Sequence, residues 1–183
     1  GNGDNHVESS GSFAEITLGN GGNSIKGEFR KLVVGDGDNR IETSSSFTKI
    51  KLGKGHNNVV VEGSMADVEV GEGHTEVAFR GSMSTLNFGK PVLPEQLWFQ
   101  HQGDDLLISR IGSAQQVTLH DWYASSPARV RDIVAGNGQH LSDRNVEQLV
   151  QAMAAFAPPG AAATSFDAAQ AQALQPVLAA NWR

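Results

Sequence analysis

The stretch Gly1-Asn-Gly-Asp-Asn5-His-Val7 is the first copy of a phrase, Gly-x-Gly-x-Asn-x-apolar, that organises the first half of the chain. The later copies are Gly19-Asn-Gly-Gly-Asn23-Ser-Ile25, Gly35-Asp-Gly-Asp-Asn39-Arg-Ile41, Gly53-Lys-Gly-His-Asn57-Asn-Val59 and Gly71-Glu-Gly-His-Thr75-Glu-Val77. Their first residues are 18, 16, 18 and 18 positions apart, and Gly89-Lys90 starts a sixth copy that is not completed. A fixed period with a glycine-rich turn in each unit is typical of a solenoid.

The second half of each unit also repeats. A small residue marks a second corner at Gly11, Gly27, Ser45, Gly63 and Gly81. Two positions later comes a bulky apolar residue: Phe13, Phe29, Phe47, Met65 and Met83. An alternating stretch follows, with apolar pairs at Ile16/Leu18, Leu32/Val34, Ile50/Leu52, Val68/Val70 and Leu86/Phe88. Alternation at period two predicts a strand with one buried face, so each unit is expected to hold two strands and two corners.

These units predict a mainly β fold, in which residues 1–90 form a five-turn parallel β-helix or β-roll of about 18-residue repeats. Stacked turns lie about 4.8 Å apart, so like residues form ladders. One aliphatic ladder is expected at Val7, Ile25, Ile41, Val59 and Val77. We expect the Phe/Met series to pack inside, beside that ladder, so that Met65 and Met83 do not form a binding surface. The two residues missing from the 16-residue unit are placed between Lys26 and Gly27. Hairpins with ordinary β-turns are the alternative, but they do not keep one period in both halves of a unit.

The Gly-x-Gly-x-Asn phrase resembles the RTX nonapeptide, Gly-Gly-x-Gly-x-Asp-x-U-x, a β-helix repeat that binds Ca²⁺. Asparagine or, in the last copy, Thr75 stands where that repeat has its aspartate. Ca²⁺ prefers several oxygens with carboxylate charge, whereas an Asn offers one neutral oxygen. We therefore predict that no cofactor is required and that an Asn ladder satisfies the turn backbone. Ca²⁺ binding stays open as an alternative, centred on Asp36 and Asp38, with the wider candidate ligands Asp4, Asn5, Asn23 and Asn39.

Two histidines, His56 and His74, occupy equivalent positions in consecutive units. Imidazole suits Zn²⁺ or Cu²⁺, but two ligands without a Cys or a clear carboxylate partner make a weak site. Two solvated turn histidines are the simpler interpretation.

The composition excludes several classes of protein. The net charge is −6 with no basic tract, which argues against a nucleic-acid partner. The chain has no Cys, so disulfides, Cys nucleophiles and Cys zinc sites are excluded. No apolar run is long enough for a membrane-spanning helix. Because the chain begins inside the repeat without a Met, we expect it to be part of a larger exported protein.

After the repeats, Pro91 and Pro94 predict a boundary. Strands are expected within 97–110, 115–119, 130–134 and 139–141, and a helix capped by Ser142 from residue 143 to about residue 157. The phrases are Leu97-Trp-Phe, Gly103-Asp-Asp-Leu-Leu-Ile-Ser, Val117-Thr-Leu-His-Asp-Trp122-Tyr and Val146-Glu-Gln-Leu-Val-Gln-Ala-Met-Ala-Ala-Phe-Ala-Pro-Pro159. Together they are similar to the haemolysin-type calcium-binding-related domain that accompanies RTX repeats. The resemblance implies a small non-enzymatic α+β module over residues 91–160, found in secreted bacterial toxins or adhesins.

The C-terminal tail, residues 161–183, is rich in Ala and Gln. A helix capped by Thr164 or Ser165 is expected through Leu174, with Pro176 breaking or kinking it. Two interpretations stay open. The tail is an uncleaved type I secretion signal, as the resemblance suggests, or a docking helix whose apolar residues cover the module, and the two are compatible. The apolar residues are Phe166, Leu174, Leu178 and Trp182.

No residue pattern indicates an enzyme. Asp104 and Asp105 are adjacent and are expected to point apart in a turn, whereas acid–base pairs need a shared pocket. The sequence His120-Asp121, close to Ser125 and Ser126, has no nucleophile-elbow phrase, and a triad is defined by geometry.

The aromatic residues of the module could also bind a ligand. Trp98 and Trp122 are expected to pack its core, with a sugar platform that includes Tyr123 as the alternative.

The sequence thus predicts a secreted, non-enzymatic C-terminal module that ends a β-helix and carries an export signal. Its expected partners are the remainder of a larger protein and the secretion machinery. The alternatives are a module that binds a cell surface, a glycan or a partner protein, and a module whose folding is triggered by Ca²⁺.

Overall fold

A computed structural model describes residues 1–124, 129–160 and 162–183. Ten short strands come first: β1 (His6–Ser10), β2 (Glu15–Thr17), β3 (Ser24–Glu28), β4 (Lys31–Val33), β5 (Asn39–Thr43), β6 (Lys49–Lys51), β7 (Gly55–Val61), β8 (Asp67–Glu69), β9 (Gly73–Phe79) and β10 (Thr85–Asn87). The odd-numbered strands form one sheet and the even-numbered strands another, and sequential neighbours in each sheet are parallel. Each turn gives one strand to each sheet, so the predicted five-turn parallel β-solenoid is confirmed.

The strand register produces two aliphatic ladders that face each other across the core. In the first sheet the ladder is the predicted Val7, Ile25, Ile41, Val59 and Val77, and it continues to Leu119. In the second sheet it is Ile16, Leu32, Ile50, Val68 and Leu86, and it continues to Ile133. From the second turn onward these side chains are buried, because each is covered by the turns above and below it.

The later part of the chain closes one end of the solenoid, and we call it the cap. It comprises a 3-10 turn (Pro94–Gln96), β11 (Leu97–Gln102), β12 (Asp105–Arg110), β13 (Gln116–Leu119), β14 (Asp132–Val134), β15 (His140–Ser142), α1 (Asp143–Met153) and α2 (Ala168–Asn181). Strand β13 pairs in parallel with β9, and β14 pairs in parallel with β10. Antiparallel β12 and β11 then extend the first sheet, and antiparallel β15 extends the second. Both sheets therefore continue across the boundary predicted near residue 90. The division into domains at residues 1–90, 91–160 and 161–183 stays a prediction.

The C-terminal tail is docked on the cap. Helix α2 begins after Asp167, whose side chain accepts a hydrogen bond from the Gln170 backbone N–H, so the expected caps Thr164 and Ser165 are wrong. The helix runs through Pro176 to Asn181 instead of breaking there. Trp182 forms an antiparallel bridge with Leu141, and its ring lies 6.4 Å from that of Phe99. Among the residues described, no helix has the length and hydropathy needed to span a membrane.

The Phe/Met series is the main error of the sequence-based prediction. Phe13, Phe47, Met65 and Met83 are exposed at the surface, and only Phe29 is buried. The bulky residue of the third, fourth and fifth turns adopts the left-handed conformation, with φ of 59°, 58° and 60°. That conformation turns the side chain away from the core. The small residue that follows it lies inside instead: Thr48, Ala66 and Ser84 are buried.

The shortened second turn explains why Phe29 differs. Gly27 lies within β3, paired with Ser9 and Thr43, so the missing residues do not precede it as predicted. Residues 11–14 connect β1 to β2, whereas residues 29 and 30 alone connect β3 to β4. Gly27 is glycine because a Cβ at that position, with φ of 120°, would overlap the Ser9 carbonyl oxygen. Phe29 therefore enters the core at a corner with no room for an outward loop.

Candidate functional site

The first corner of each turn, defined by the Gly-x-Gly-x-Asn phrase, holds a ladder of asparagine side chains. The Nδ2 of Asn5 donates to Oδ1 of Asn23 at 2.6 Å, Asn23 to Asn39 at 2.7 Å, and Asn39 to Asn57 at 2.8 Å. The same Nδ2 atoms donate to turn carbonyls, for example from Asn39 to Gly37 at 3.0 Å. Asn23, Asn39 and Asn57 are buried, so the ladder satisfies polar groups that water cannot reach. The side-chain oxygens of Asn23, Asn39 and Asn57 already accept hydrogen bonds, whereas a Ca²⁺ ligand would need them free.

The aspartates of the first corner lie outside this ladder. Oδ1 of Asp4 accepts the Gly22 N–H at 2.7 Å, Oδ1 of Asp36 accepts the Lys54 N–H at 2.8 Å, and Oδ1 of Asp38 accepts the His56 N–H at 3.0 Å. Each carboxylate therefore joins one turn to the next through a backbone amide. The three carboxylates face three separate amides instead of a common centre.

The ammonium group of Lys54 interacts electrostatically with Asp36. The Glu72 carboxylate, 2.8 Å from the Lys54 Nζ, raises the pKa of that lysine through a hydrogen bond and its charge, and Asp36 adds to the effect. A Ca²⁺ ion at Asp36 would have to displace or neutralise this ammonium. Within the described ranges no three His, Asp or Glu side chains are grouped closely enough to hold a metal. The donor set does not fit a calcium site, and the alternative of Ca²⁺ binding centred on Asp36 and Asp38 stays untested.

A second cluster joins the last solenoid turn to the cap. Nε2 of His120 lies 3.5 Å from Oε2 of Glu76 in β9, and its Nδ1 lies 3.0 Å from Oδ2 of Asp105 in β12. His74 approaches the other oxygen of Glu76 at 3.4 Å. Its ring meets that of His56 edge-on, with 6.0 Å between the centroids, so the two histidines do lie at equivalent positions on consecutive turns, as predicted. His120 thus ties a solenoid strand to a cap strand.

The electrostatics of this cluster favour an ionised Glu76. Partial burial acts to raise its pKa, but hydrogen bonds from His120 and His74 together bring the pKa below its usual value. Sequence reasoning missed the cluster because Glu76 and His120 are far apart in the chain. Pairing of β13 with β9 is what brings them together, since the His120 N–H donates to the Val77 carbonyl.

The other acidic and histidine candidates have structural partners. Asp105 accepts the Asp121 N–H and lies 3.0 Å from Nδ1 of His120, so it ties the start of β12 to the segment that follows β13. Asp121, at φ of 60°, pairs with Arg80 at 2.8 Å and not with the neighbouring His120. Ser125 and Ser126, which the triad hypothesis needs, lie outside the described residues.

The aromatic candidates lie mainly in the core of the cap. Trp98 and Trp122 are each 2 % exposed. The Phe166 ring packs edge-on against Trp98 at 6.1 Å, and the Arg129 guanidinium lies 5.5 Å from the Trp122 ring. Tyr123 is half-buried against His101, and burial, with Glu147 nearby, raises its pKa. These contacts fit the packing interpretation. A sugar platform would need an exposed ring face, and neither Trp offers one.

An open cavity of about 570 Å³ lies beside β10 and β14 and contains the half-buried Asp67. Burial raises the pKa of Asp67, which is a property of functional carboxylates as well as of structural ones. Here the Asn87 amide donates to Asp67, and Glu69 pairs with Lys51 at 2.8 Å. The cavity therefore presents acidic groups that are already partnered along the ladder.

The fold and these contacts define the class as a parallel β-solenoid with a β-rich cap. A search against models of known protein families found no family that matches the chain.

Proposed function

We propose that this chain is a non-enzymatic terminal module of an exported bacterial protein, in which it ends and stabilises a parallel β-helix. The RTX-like phrase and the likeness of the cap to the haemolysin-type calcium-binding-related domain support this proposal. From these two resemblances we also expect that the parent protein is a toxin or an adhesin and that it is exported by a type I system.

The observation that carries the proposal is the way the later part of the chain continues and then covers the solenoid. At the cap end, β13 and β14 continue both ladders, and β11, β12 and β15 follow as antiparallel strands. Helix α1 packs on β11 and β15, and the last ladder residues, Leu119 and Ile133, are buried. At the other end, which we call the open end, Val7 and Ile16 are only half-buried. A segment that covers the last turn of a solenoid suits the role of a cap.

The cap function can be tested with one ladder residue at each end. Ile133→Ala at the cap end is expected to increase amide hydrogen exchange in β9 and β10, because the solenoid end loses its cover. Ile16→Ala, the same change in the same ladder at the open end, is expected to affect β2 and β4 alone. If Ile133→Ala increases exchange only in the cap, the module is an appended domain and the proposal of a cap is wrong.

The proposed export function depends on the C-terminal tail, residues 161–183. Because α2 is docked and Trp182 is buried, a signal in residues 161–183 would be accessible to a transporter only before the chain folds. A reporter fused ahead of this chain can be expressed with a type I transporter. Deletion of residues 161–183 is expected to stop export, whereas Trp182→Ala, which weakens docking but keeps the sequence, is expected to retain it. Unchanged export after the deletion would contradict the signal and leave the cap proposal intact.

A further inference from the structure

A row of exposed apolar side chains runs along the second corner of the solenoid. We call it the second-corner stripe: Phe13, Phe47, Met65 and Met83, which are 85 %, 66 %, 42 % and 49 % exposed. Turns stack about 4.8 Å apart, so the stripe is about 19 Å long over its four intervals. A monomeric protein exposes single apolar residues freely, but a row of large ones marks a surface for interaction.

The backbone of the stripe adds a second observation. Phe47, Met65 and Met83 are left-handed, a conformation that costs about 1–2 kcal/mol for a residue with a Cβ. Gly or Asn adopts it more readily and exposes no apolar surface. The Phe47 N–H donates to the Ser64 carbonyl, and the Met65 N–H to the Ser82 carbonyl, so the stacked corners hold this geometry. Folding stability alone therefore does not account for these residue types.

The stripe has a gap at the second turn. Phe29 is fully buried there, and the corner has only residues 29 and 30 between its strands. Phe13 on one side and Phe47 on the other flank this gap, which we call the notch. The side chain exposed at the notch is that of Arg30, which pairs with Glu15 at 3.7 Å.

We propose that the second-corner stripe binds the same stripe of a second copy of this chain, with the two solenoid axes antiparallel. A two-fold axis between the third and fourth turns places Phe47 opposite Met65 of the second copy. The same operation places Met83 of each copy at the notch of the other, between Phe13 and Phe47. Methionine sulfur makes favourable contacts with aromatic rings, so both pairings are chemically suited.

The charges beside the stripe match this arrangement. On one flank, Glu28 of the second turn meets Arg80 of the fifth turn of the other copy. On the other flank, Lys49 and Asp67 already neighbour each other within one chain, and Asn87 donates to Asp67, so neither is counted here. Symmetry repeats the Glu28–Arg80 pair, which gives two attractive contacts. A parallel arrangement brings equal turns together, so Glu28 and Arg80 no longer meet. Half of the Arg80 side chain is exposed, so it can reach across while it remains near Asp121.

The area limits the strength of this contact. One row of side chains about 19 Å long covers far less than the roughly 800 Å² per partner of a standard stable interface. The dimer is therefore weak and concentration-dependent, and it forms where the module is locally concentrated.

Sedimentation velocity over a range of concentrations tests the contact itself. We expect a reversible monomer–dimer equilibrium that Met65→Asn weakens by at least about tenfold in Kd. Asn tolerates the left-handed conformation, so the variant should fold, as circular dichroism would verify. Leu93→Asn, another exposed apolar residue away from the stripe, is the matched control and should leave Kd unchanged. A chain that stays monomeric at millimolar concentration, or an equal effect of both variants, would overturn the proposal.

Charge exchange tests the antiparallel register. Glu28→Arg and Arg80→Glu each create like-charge contacts and should each be monomeric, whereas a mixture of the two should dimerise as a heterodimer. Folded variants whose mixtures remain monomeric would rule out this arrangement. Binding of a monomeric wild-type chain to zwitterionic lipid vesicles would assign the stripe to a membrane surface instead.

Discussion

In the third, fourth and fifth solenoid turns, the first corner directs its characteristic side chain inward, whereas the second corner directs it outward. The first corner buries Asn39 at 2 % exposure and ties it to the turns on both sides. The second corner leaves Phe47 at 66 % exposure although Phe is far more apolar than Asn. The comparison shows that corners are governed by backbone hydrogen bonding and chain length, and not by side-chain polarity. Four predictions test it.

The largest effect is expected from the two phenylalanines of consecutive second corners. Phe29→Ala should cost about 3–5 kcal/mol of unfolding free energy, because it leaves a cavity in the core. Phe47→Ala, the same substitution one turn away, should change it by less than about 0.5 kcal/mol. Urea denaturation at a concentration where the chain is monomeric measures both values. Similar costs at the two sites would mean that the second corners do not differ as described.

The second prediction concerns the middle of the Asn ladder. Asn39→Ala leaves the Asn23 amide, the Asn57 oxygen and the Gly37 carbonyl without their partner in a buried corner, and should cost about 2–4 kcal/mol. Asn5→Ala at the half-buried open end should cost less than about 1 kcal/mol, because water replaces the lost amide. The same denaturation experiment compares them. A small loss at Asn39 would show that the ladder adds little to stability.

A smaller effect of opposite sign is expected at the left-handed positions. Met83→Asn should stabilise the monomer by up to about 1 kcal/mol, because Asn relieves the cost of positive φ and removes exposed apolar surface. Phe13 is exposed but is not left-handed, so Phe13→Asn should give no such gain. Loss of stability in Met83→Asn would indicate that the methionine packs against its neighbours along the stripe.

The smallest effect is expected from Ca²⁺. Because Asp36 and Asp38 each accept a backbone amide and Lys54 lies beside Asp36, replacing chelator with millimolar Ca²⁺ should move Tm by less than about one degree. Differential scanning calorimetry measures this shift. A rise of several degrees that Asp36→Ala and Asp38→Ala abolish would instead identify a Ca²⁺-linked first corner.

Periodicity predicted the parts of the molecule that depend on stacking alone. The alternating apolar residues predicted which faces are buried, and the repeated Gly-x-Gly-x-Asn phrase aligned Ile25 with Ile41 and Val59 as observed. The Asn ladder followed from the same alignment, because identical residues on stacked turns must meet.

The failures have local physical causes. Gly27 resembles a corner glycine, but it is required within a strand by the close approach of Ser9. The inward or outward direction of Met65 depends on one dihedral angle, which a spacing rule does not contain. The His120–Glu76 contact depends on how the cap pairs with β9, and no local pattern in the sequence encodes that pairing.

The shortened second turn has a consequence for how the chain finds its native alignment. Repeats with the same length and the same apolar pattern can slip past one another by a whole unit with little loss of contact. The turn between β3 and β4 is the exception, since it is two residues shorter than its neighbours and carries its own core aromatic, Phe29. If the repeats slipped by one unit, the Phe29 ring would have to occupy the place of Thr48 or Ala14, where the corner accommodates only a small side chain. The irregular second turn therefore makes the native alignment of the repeats more stable than alignments shifted by one unit.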